Sequence, residues 1–349
     1  MTDLAVYVSG HGFGHATRTA EVLRAVRALR PRIEVMVMTA APERLFRGAG
    51  EPLAVRRLDC DVGLAQRNAL EIDEAQTAVR VIAFAGPYPA LVEREAQWLR
   101  ESGARLVLGD IPPLAFAAAA AAGIQAVGLA NFSWDWIYRH FAGRQPELHA
   151  AAEEAARAYG SAALLLQLPF AGDLSAFPRR ERVPLVARTP RVSGDEARRR
   201  LGLAAGETIV LVSFGGFGVS VDRPAAQSDR SFRVLFSDDV ADRLEGLDLA
   251  YQDLVAACDV VVTKPGYGIV SDVIGARRRL VYTDRGDFPE YPILVREMAA
   301  LVPAVYVSSA ELLAGRISPA VREVLARPLP PPPDTTGASV AARRLLALL

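Results

Sequence analysis

The chain has almost no lysine. Of its 40 basic residues 39 are arginine, and the exception is Lys264. Surface cations here are arginine as a rule, so a lysine asks for a reason of its own. Cysteine is scarce too. Cys60 and Cys258 lie far apart in sequence, which leaves room for one disulfide but excludes a framework, and reduced thiols in a cytoplasm are the simpler reading. Histidine occurs four times. His11 and His15 are close, but no third ligand follows at a usual spacing, so no metal site is expected. Acidic and basic residues balance at 40 each. That excludes a global field for nucleic acid or an anionic membrane surface. No uniform apolar run reaches the ~18 residues a membrane helix needs. The longest apolar stretch, "PPLAFAAAAAAGIQAVGLA", is broken by Gly123 and Gln125 and reads as a buried helix followed by a strand. The N-terminus "MTDLAVYVSG" has no basic segment before its short apolar run, so no secretory signal is expected.

What is present is an alternation. With 349 residues, 51% of them hydrophobic, two domains are favoured over one. "LAVYVSG", "IEVMVMTA", "ARLVLGD" and "IQAVGLANF" are strand-like, and helical spacing fills the gaps between them. Such repeats predict an α/β fold with parallel sheets. A proline- and arginine-rich connector, "LPFAGDLSAFPRRERVPLVARTPRVS", precedes a second set: "TIVLVSFGG", "VVVTKPGYG" and "RRLVYTDRG". The expected division is residues 1–180, 181–330 and a tail at 331–349. In the tail a stiff polyproline stretch leads to a short helix. That helix either crosses back onto the first domain or docks loosely.

The first motif is "VSGHGFGHATR", residues 8–18. A dinucleotide fingerprint needs glycine where His15 stands, and no acidic residue ends the second strand to hold a ribose. What fits is a turn where a ligand meets backbone, at the mouth of a helix and the carboxyl end of a strand. His15 is the candidate general base for a sugar hydroxyl. Its structural alternative is a cap or turn contact. His11, Gly12 and Arg18 are candidate neighbours, with Arg18 placed to offset charge on a leaving phosphate or an anionic acceptor. "ANFSWDWIYRHF" adds Asn131, Ser133 and Asp135 as hydroxyl partners and Trp134 as a sugar-stacking face, or equally as core packing. Asp110, at the end of the strand "LVLGD", is a further candidate acceptor contact.

In the second half, Gly215, Gly216 and Phe217 of "FGGFG" offer backbone donors. In "TKPGYGIVSD", a turn at Gly266, Tyr267 and Gly268 opens a helix, giving an anion site to which Lys264 adds a compact cation. Ser271 and Asp272 follow one turn on, Asp272 as a candidate ribose acceptor. Asp287 and Glu290 in "TDRGDFPEYP" are candidate sugar contacts or ordinary loop charges.

These motifs together resemble the GT-B glycosyltransferases. "GHGFGH" is similar to the N-terminal glycine-rich loop of the MurG-like group, and "SFGGFG" and "KPGYGIVSD" to its donor motifs. The resemblance implies two Rossmann-like domains facing across a cleft, with Asp272 on the donor ribose and His15 as base. It also implies no bound metal or cofactor, and a nucleotide-sugar, UDP-linked, as co-substrate. The acceptor-loop pattern D-x-x-Q appears as "DFPE", with Glu290 where glutamine is usual. "GHGFGHATR", "NFSWDWIY", "VPLVAR" and "GYGIVSDVIG" further resemble the glycosyltransferase-like N-terminal region of plant L-arabinokinases. The kinase domain of those proteins is expected to be missing here, which suggests a functional link to a separate sugar kinase. The rival readings are a non-catalytic sugar or nucleotide-sugar binding module and a nucleotide-sugar epimerase or hydrolase on the same fold.

Overall fold

The computed structural model describes residues 1–47, 53–215 and 219–349. The first sheet comprises β1 (Leu4–Val8), β2 (Val35–Thr39), β3 (Ala54–Arg57), β4 (Leu106–Asp110), β5 (Ala126–Ala130), β6 (Leu164–Gln167) and β7 (Arg180–Arg182). Their order is β3-β2-β1-β4-β5-β6-β7. The second comprises β8 (Ile209–Val212), β9 (Arg233–Phe236), β10 (Val260–Thr263), β11 (Arg279–Tyr282) and β12 (Ala304–Tyr306), ordered β12-β11-β10-β8-β9. Every strand pairing within them is parallel. β1, β4, β5, β8 and β10 are buried along their whole length. A strand covered on both faces must be apolar throughout, which is why these segments read as unbroken aliphatic runs.

Strand order reverses between β1 and β4 in the first sheet and between β8 and β10 in the second. At such a point the following loops diverge to opposite faces and leave a crevice at the carboxyl ends. The β1 turn and the end of β4 therefore meet in space, with Val8 in register with Asp110. The β8 and β10 turns, carrying Gly215 and Lys264, occupy the matching place in the second sheet.

Two expectations need adjusting. The arginine-rich connector is not all linker, because Arg180–Arg182 forms the edge strand β7 paired to β6. The tail resolves to a helix at Gly337–Leu346 that packs on the Phe13–Leu29 helix of the first domain. Ala338, Ala341, Ala342 and Leu345 are buried there in one cluster with Val22, Leu23 and Val26. Arg344 pairs with Glu181 of β7 at 2.8 Å. Small alanine side chains let the two helices approach closely, and leucine fills the gap. Cys60 and Cys258 are both buried and free.

Candidate active site

After β1 the chain turns at Gly12, whose φ of 74° suits glycine. The helix then starts at Phe13, which puts His15 in its first turn. From there His15 Nδ1 reaches Asp110 Oδ1 at 2.8 Å. Arg18 Nη2 lies 3.1 Å from the same nitrogen, but the carboxylate contact is the shorter, and since a carboxylate accepts and cannot donate, it assigns the proton to Nδ1. Nε2 is then the basic nitrogen. Asp110 is wholly buried and also accepts from Arg18 Nε at 2.8 Å, Arg18 Nη2 at 2.5 Å and Thr19 Oγ1 at 2.6 Å. Burial alone pushes its carboxyl up, but the Arg18 guanidinium and then His15 outweigh burial and hold it at about 2. It is an anion near neutral pH, and with both oxygens taken and no exposed surface it orients His15 rather than contacting an acceptor as expected.

A chain of alternating partners runs from this pair into the second domain. Arg18 Nη1 donates to Asn131 Oδ1 at 2.7 Å, Asn131 Nδ2 donates to Glu290 Oε1 at 2.5 Å, and Arg285 Nη1 donates to Glu290 Oε2 at 2.5 Å. Asn131 is buried, and its amide orientation follows from having a cation on one side and a carboxylate on the other. The Arg18 guanidinium lies 5.0 Å from the Tyr267 ring centre, and Phe132 meets Phe288 edge-on at 5.8 Å. Gly14 and Gly268 touch: a Cβ on Gly268 would come within 3.2 Å of the Gly14 Cα. The N-termini of the Phe13–Leu29 and Tyr267–Gly275 helices therefore abut, each presenting its positive end to the cleft.

Lys264 joins this convergence. Its Nζ donates to the Ala69 carbonyl of the first domain at 2.6 Å. Burial, and secondarily Arg285, pulls the ammonium down to about 7. The lone lysine thus sits in the cleft and ties the two domains.

Several expected roles do not match where the side chains lie. Arg18, only 3% exposed, spends its donors on Asp110, Asn131 and His15, so they are not turned to a leaving phosphate. Trp134 is wholly buried, stacked on Tyr138 at 5.7 Å with Nε1 donating to Asp61, so its face packs core and no sugar. Asp135 pairs with Arg139 at 2.6 Å, which reaches Glu153 on the next helix. Ser133 donates to the Asp173 carbonyl at 3.3 Å. The Asp272 carboxylate is held by Arg188, whose Nε lies 3.1 and 3.2 Å from its two oxygens, so no free edge is left for a ribose diol. Ser271 bonds back to the Gly268 carbonyl at 2.9 Å, and the Tyr267 hydroxyl accepts from the Val186 amide at 3.1 Å. Asp287 stands on the rim, bridging to His140 at 2.9 Å and Arg144 at 2.5 Å. Gly266 caps the Tyr267–Gly275 helix and faces Arg285. Gly215 turns with φ 70°, and Gly216 and Phe217 lie outside the described residues.

His11 is half-buried. Its Nδ1 accepts from the Leu64 amide at 3.3 Å, and burial together with His15, Arg285 and Lys264 pushes it down to about 3, so it is neutral. Three members of the site were not anticipated. Arg285 and Arg188 sit inside quoted motifs, but arginine is so common here that neither stood out. Asp61, in "LDCDVG", carries no local signal at all. Among the described residues no group of three or more His, Cys, Asp or Glu gathers as a metal set. Cavities of 260 Å³ beside β7 and the terminal helix and 530 Å³ beside β9 are lined by arginines and carboxylates, with no histidine or lysine. No helix among the described residues is long and apolar enough to cross a membrane.

No protein-family model matches the chain. The L-arabinokinase of Arabidopsis thaliana is 32% identical over 330 residues, covering 90% of this chain and 31% of that protein. The chain therefore spans less than a third of the length of the curated relative it matches. The glycotransferase of kitacinnamycin superposes with a TM-score of 0.60 at 16% identity, covering 100% of this chain and 95% of its own. A UDP-glucose: anthocyanidin 3-O-glucosyltransferase in complex with UDP gives 0.61 at 10% identity, covering 100% and 94%. The likeness to L-arabinokinase expected from the motifs is present, and with two parallel sheets facing across a cleft the chain has the GT-B fold.

Proposed function

We propose that this protein moves a sugar from a nucleoside-diphosphate sugar, UDP-linked, to an acceptor hydroxyl, with His15 as general base. The observation that carries the reading is the 2.8 Å contact of His15 Nδ1 with Asp110, placed where two helix N-termini meet. Nε2 takes the acceptor proton while the acceptor oxygen attacks the anomeric carbon. The bond from that carbon to the diphosphate oxygen breaks, and the nucleoside diphosphate leaves with the bonding pair. Asp110 holds the imidazole in the reactive tautomer and faces the cation that forms. Amides at Gly266–Gly268 and the cations Lys264 and Arg285 are the groups suited to the departing diphosphate, a task done without metal or cofactor. To reach it, Lys264 exchanges the Ala69 carbonyl for phosphate oxygen, which couples donor binding to the seating of the domains. Donor loading therefore requires the cleft to open from the closed arrangement seen here. The protein works in the cytoplasm, and its likeness to part of an L-arabinokinase supports action beside a separate sugar kinase.

The test is a panel of UDP-, GDP- and dTDP-sugars with hydroxyl acceptors, comparing the parent protein with His15→Ala. Loss of a general base lowers kcat by roughly 10²–10⁴-fold. Nucleotide affinity is expected to stay unchanged. Equal turnover by both proteins refutes the role of His15. Nucleotide-sugar binding with no turnover in the parent favours a binding module.

A further inference from the structure

We propose that Asp61 and His11, both set against the Trp134 indole beside His15, form the recognition subsite for a polyhydroxylated acceptor, a free sugar or similar polyol. Trp134 Nε1 donates to Asp61 Oδ2 at 2.8 Å, and the His11 ring meets the same indole edge-on at 5.3 Å. The His15 ring lies 6.4 Å from that indole, so the base and both recognition groups share one platform. Asp61 and His11 are half-buried, as are Gly12, Phe13 and Gly14, whereas Asp110 is wholly buried.

The two groups are complementary. His11 Nδ1 accepts from the Leu64 amide, which leaves Nε2–H as a donor. Asp61 accepts from Trp134, the Ser9 hydroxyl and the Gly10 amide, and a carboxylate has about four acceptor positions, so one remains for a ligand hydroxyl. Burial pushes the Asp61 carboxyl up, against the Ser9 hydroxyl, His15, Trp134 and the Gly10 amide, which pull the other way. A donor and a carboxyl set against one indole suit a ligand dense in hydroxyls. A flat apolar acceptor would strip water from these groups and return nothing, which is the strongest form of discrimination a site can have.

Because this inference rests on the transferase reading, its test separates the two. Asp61→Asn keeps an oxygen for Trp134 and so keeps the fold, and Asp61→Glu serves as a second variant. Each is measured for transfer to L-arabinose, D-glucose and 4-nitrophenol, for donor hydrolysis without acceptor, and for sugar binding by calorimetry. The expected result is a KM for the sugar acceptor raised about 10- to 100-fold in Asp61→Asn, the loss of a charge-assisted hydrogen bond. Donor hydrolysis corrects the transfer rates for donor lost to water, and the calorimetric affinity for the sugar is expected to fall by the same factor. His11→Ala is expected to add a smaller loss of the same kind. Sugar binding that weakens in Asp61→Asn while no protein shows turnover supports the subsite and refutes the transferase. Transfer to 4-nitrophenol in preference to sugars, or sugar binding unchanged in both Asp61 variants, overturns the subsite and leaves the transferase intact.

Discussion

Replacing Asp110 by asparagine tests the centre of the site on two axes. The carboxylate receives four hydrogen bonds, two from Arg18 and one each from Thr19 and His15. An asparagine amide offers one oxygen and turns an NH2 toward donors, leaving the Arg18 guanidinium, only 3% exposed, without a counter-charge. Breaking a buried ion pair from one side costs about 3–5 kcal/mol. An independent route starts from the carboxyl held at about 2. Against an unfolded value of ~3.9, that displacement is worth about 2–3 kcal/mol. The second figure is the smaller because protonation does not add a misplaced NH2. Together they bracket the loss at about 2–5 kcal/mol, which lowers the melting temperature by roughly 5–20 °C for a domain of this size. The assay is thermal unfolding followed by circular dichroism at pH 7. Arg18→Met is added singly and in combination, because removing both charges is expected to restore much of what Asp110→Asn loses. Activity is expected to fall roughly 10²–10⁴-fold, since the tautomer is no longer enforced. The pH dependence has a definite sign. A depressed carboxyl contributes fully above its unfolded value and loses that contribution as pH falls through about 2, so the gap between parent and variant closes in acid. A variant melting within about 2 °C of the parent, or a double variant no more stable than Asp110→Asn, refutes the reasoning.

Two further outcomes are expected. Lys264→Ala weakens thermal stabilisation by nucleoside diphosphates. Because the ammonium is held down at about 7 in the free protein, diphosphate binding draws a proton onto it, so affinity falls as pH rises from 7 to about 9. Calorimetry in buffers of different ionisation enthalpy checks this, and zero proton uptake contradicts it. Gly268→Val places branched carbon against the Gly14 backbone, where even a Cβ would approach to 3.2 Å. The domains are expected to separate, raising the radius of gyration by X-ray scattering and lowering transfer, whereas an unchanged profile shows that the contact does not set closure.

The two sheets were legible in the sequence because their causes are local. Strands buried on both faces must be aliphatic throughout, and "LAVYV" and "VVVT" say so. Helices that open after Gly12 and Gly266 announce themselves by glycine at the turn. The opening histidine and the solitary lysine were also visible, because each breaks a compositional rule. Partnership was not visible. His15 and Asp110 are 95 residues apart, and Lys264 and the Ala69 carbonyl 195. They meet only because β1 lies beside β4 and because the two domains close. Asp272 and Trp134 show the converse: a motif names the chemistry a residue can do, while packing decides which way it faces. Arg188 took the first and the hydrophobic core took most of the second. Backbone preference acts over a few residues and can be read in order. A buried charge accepts whichever counter-charge the fold brings within reach, and that choice is made in three dimensions by desolvation.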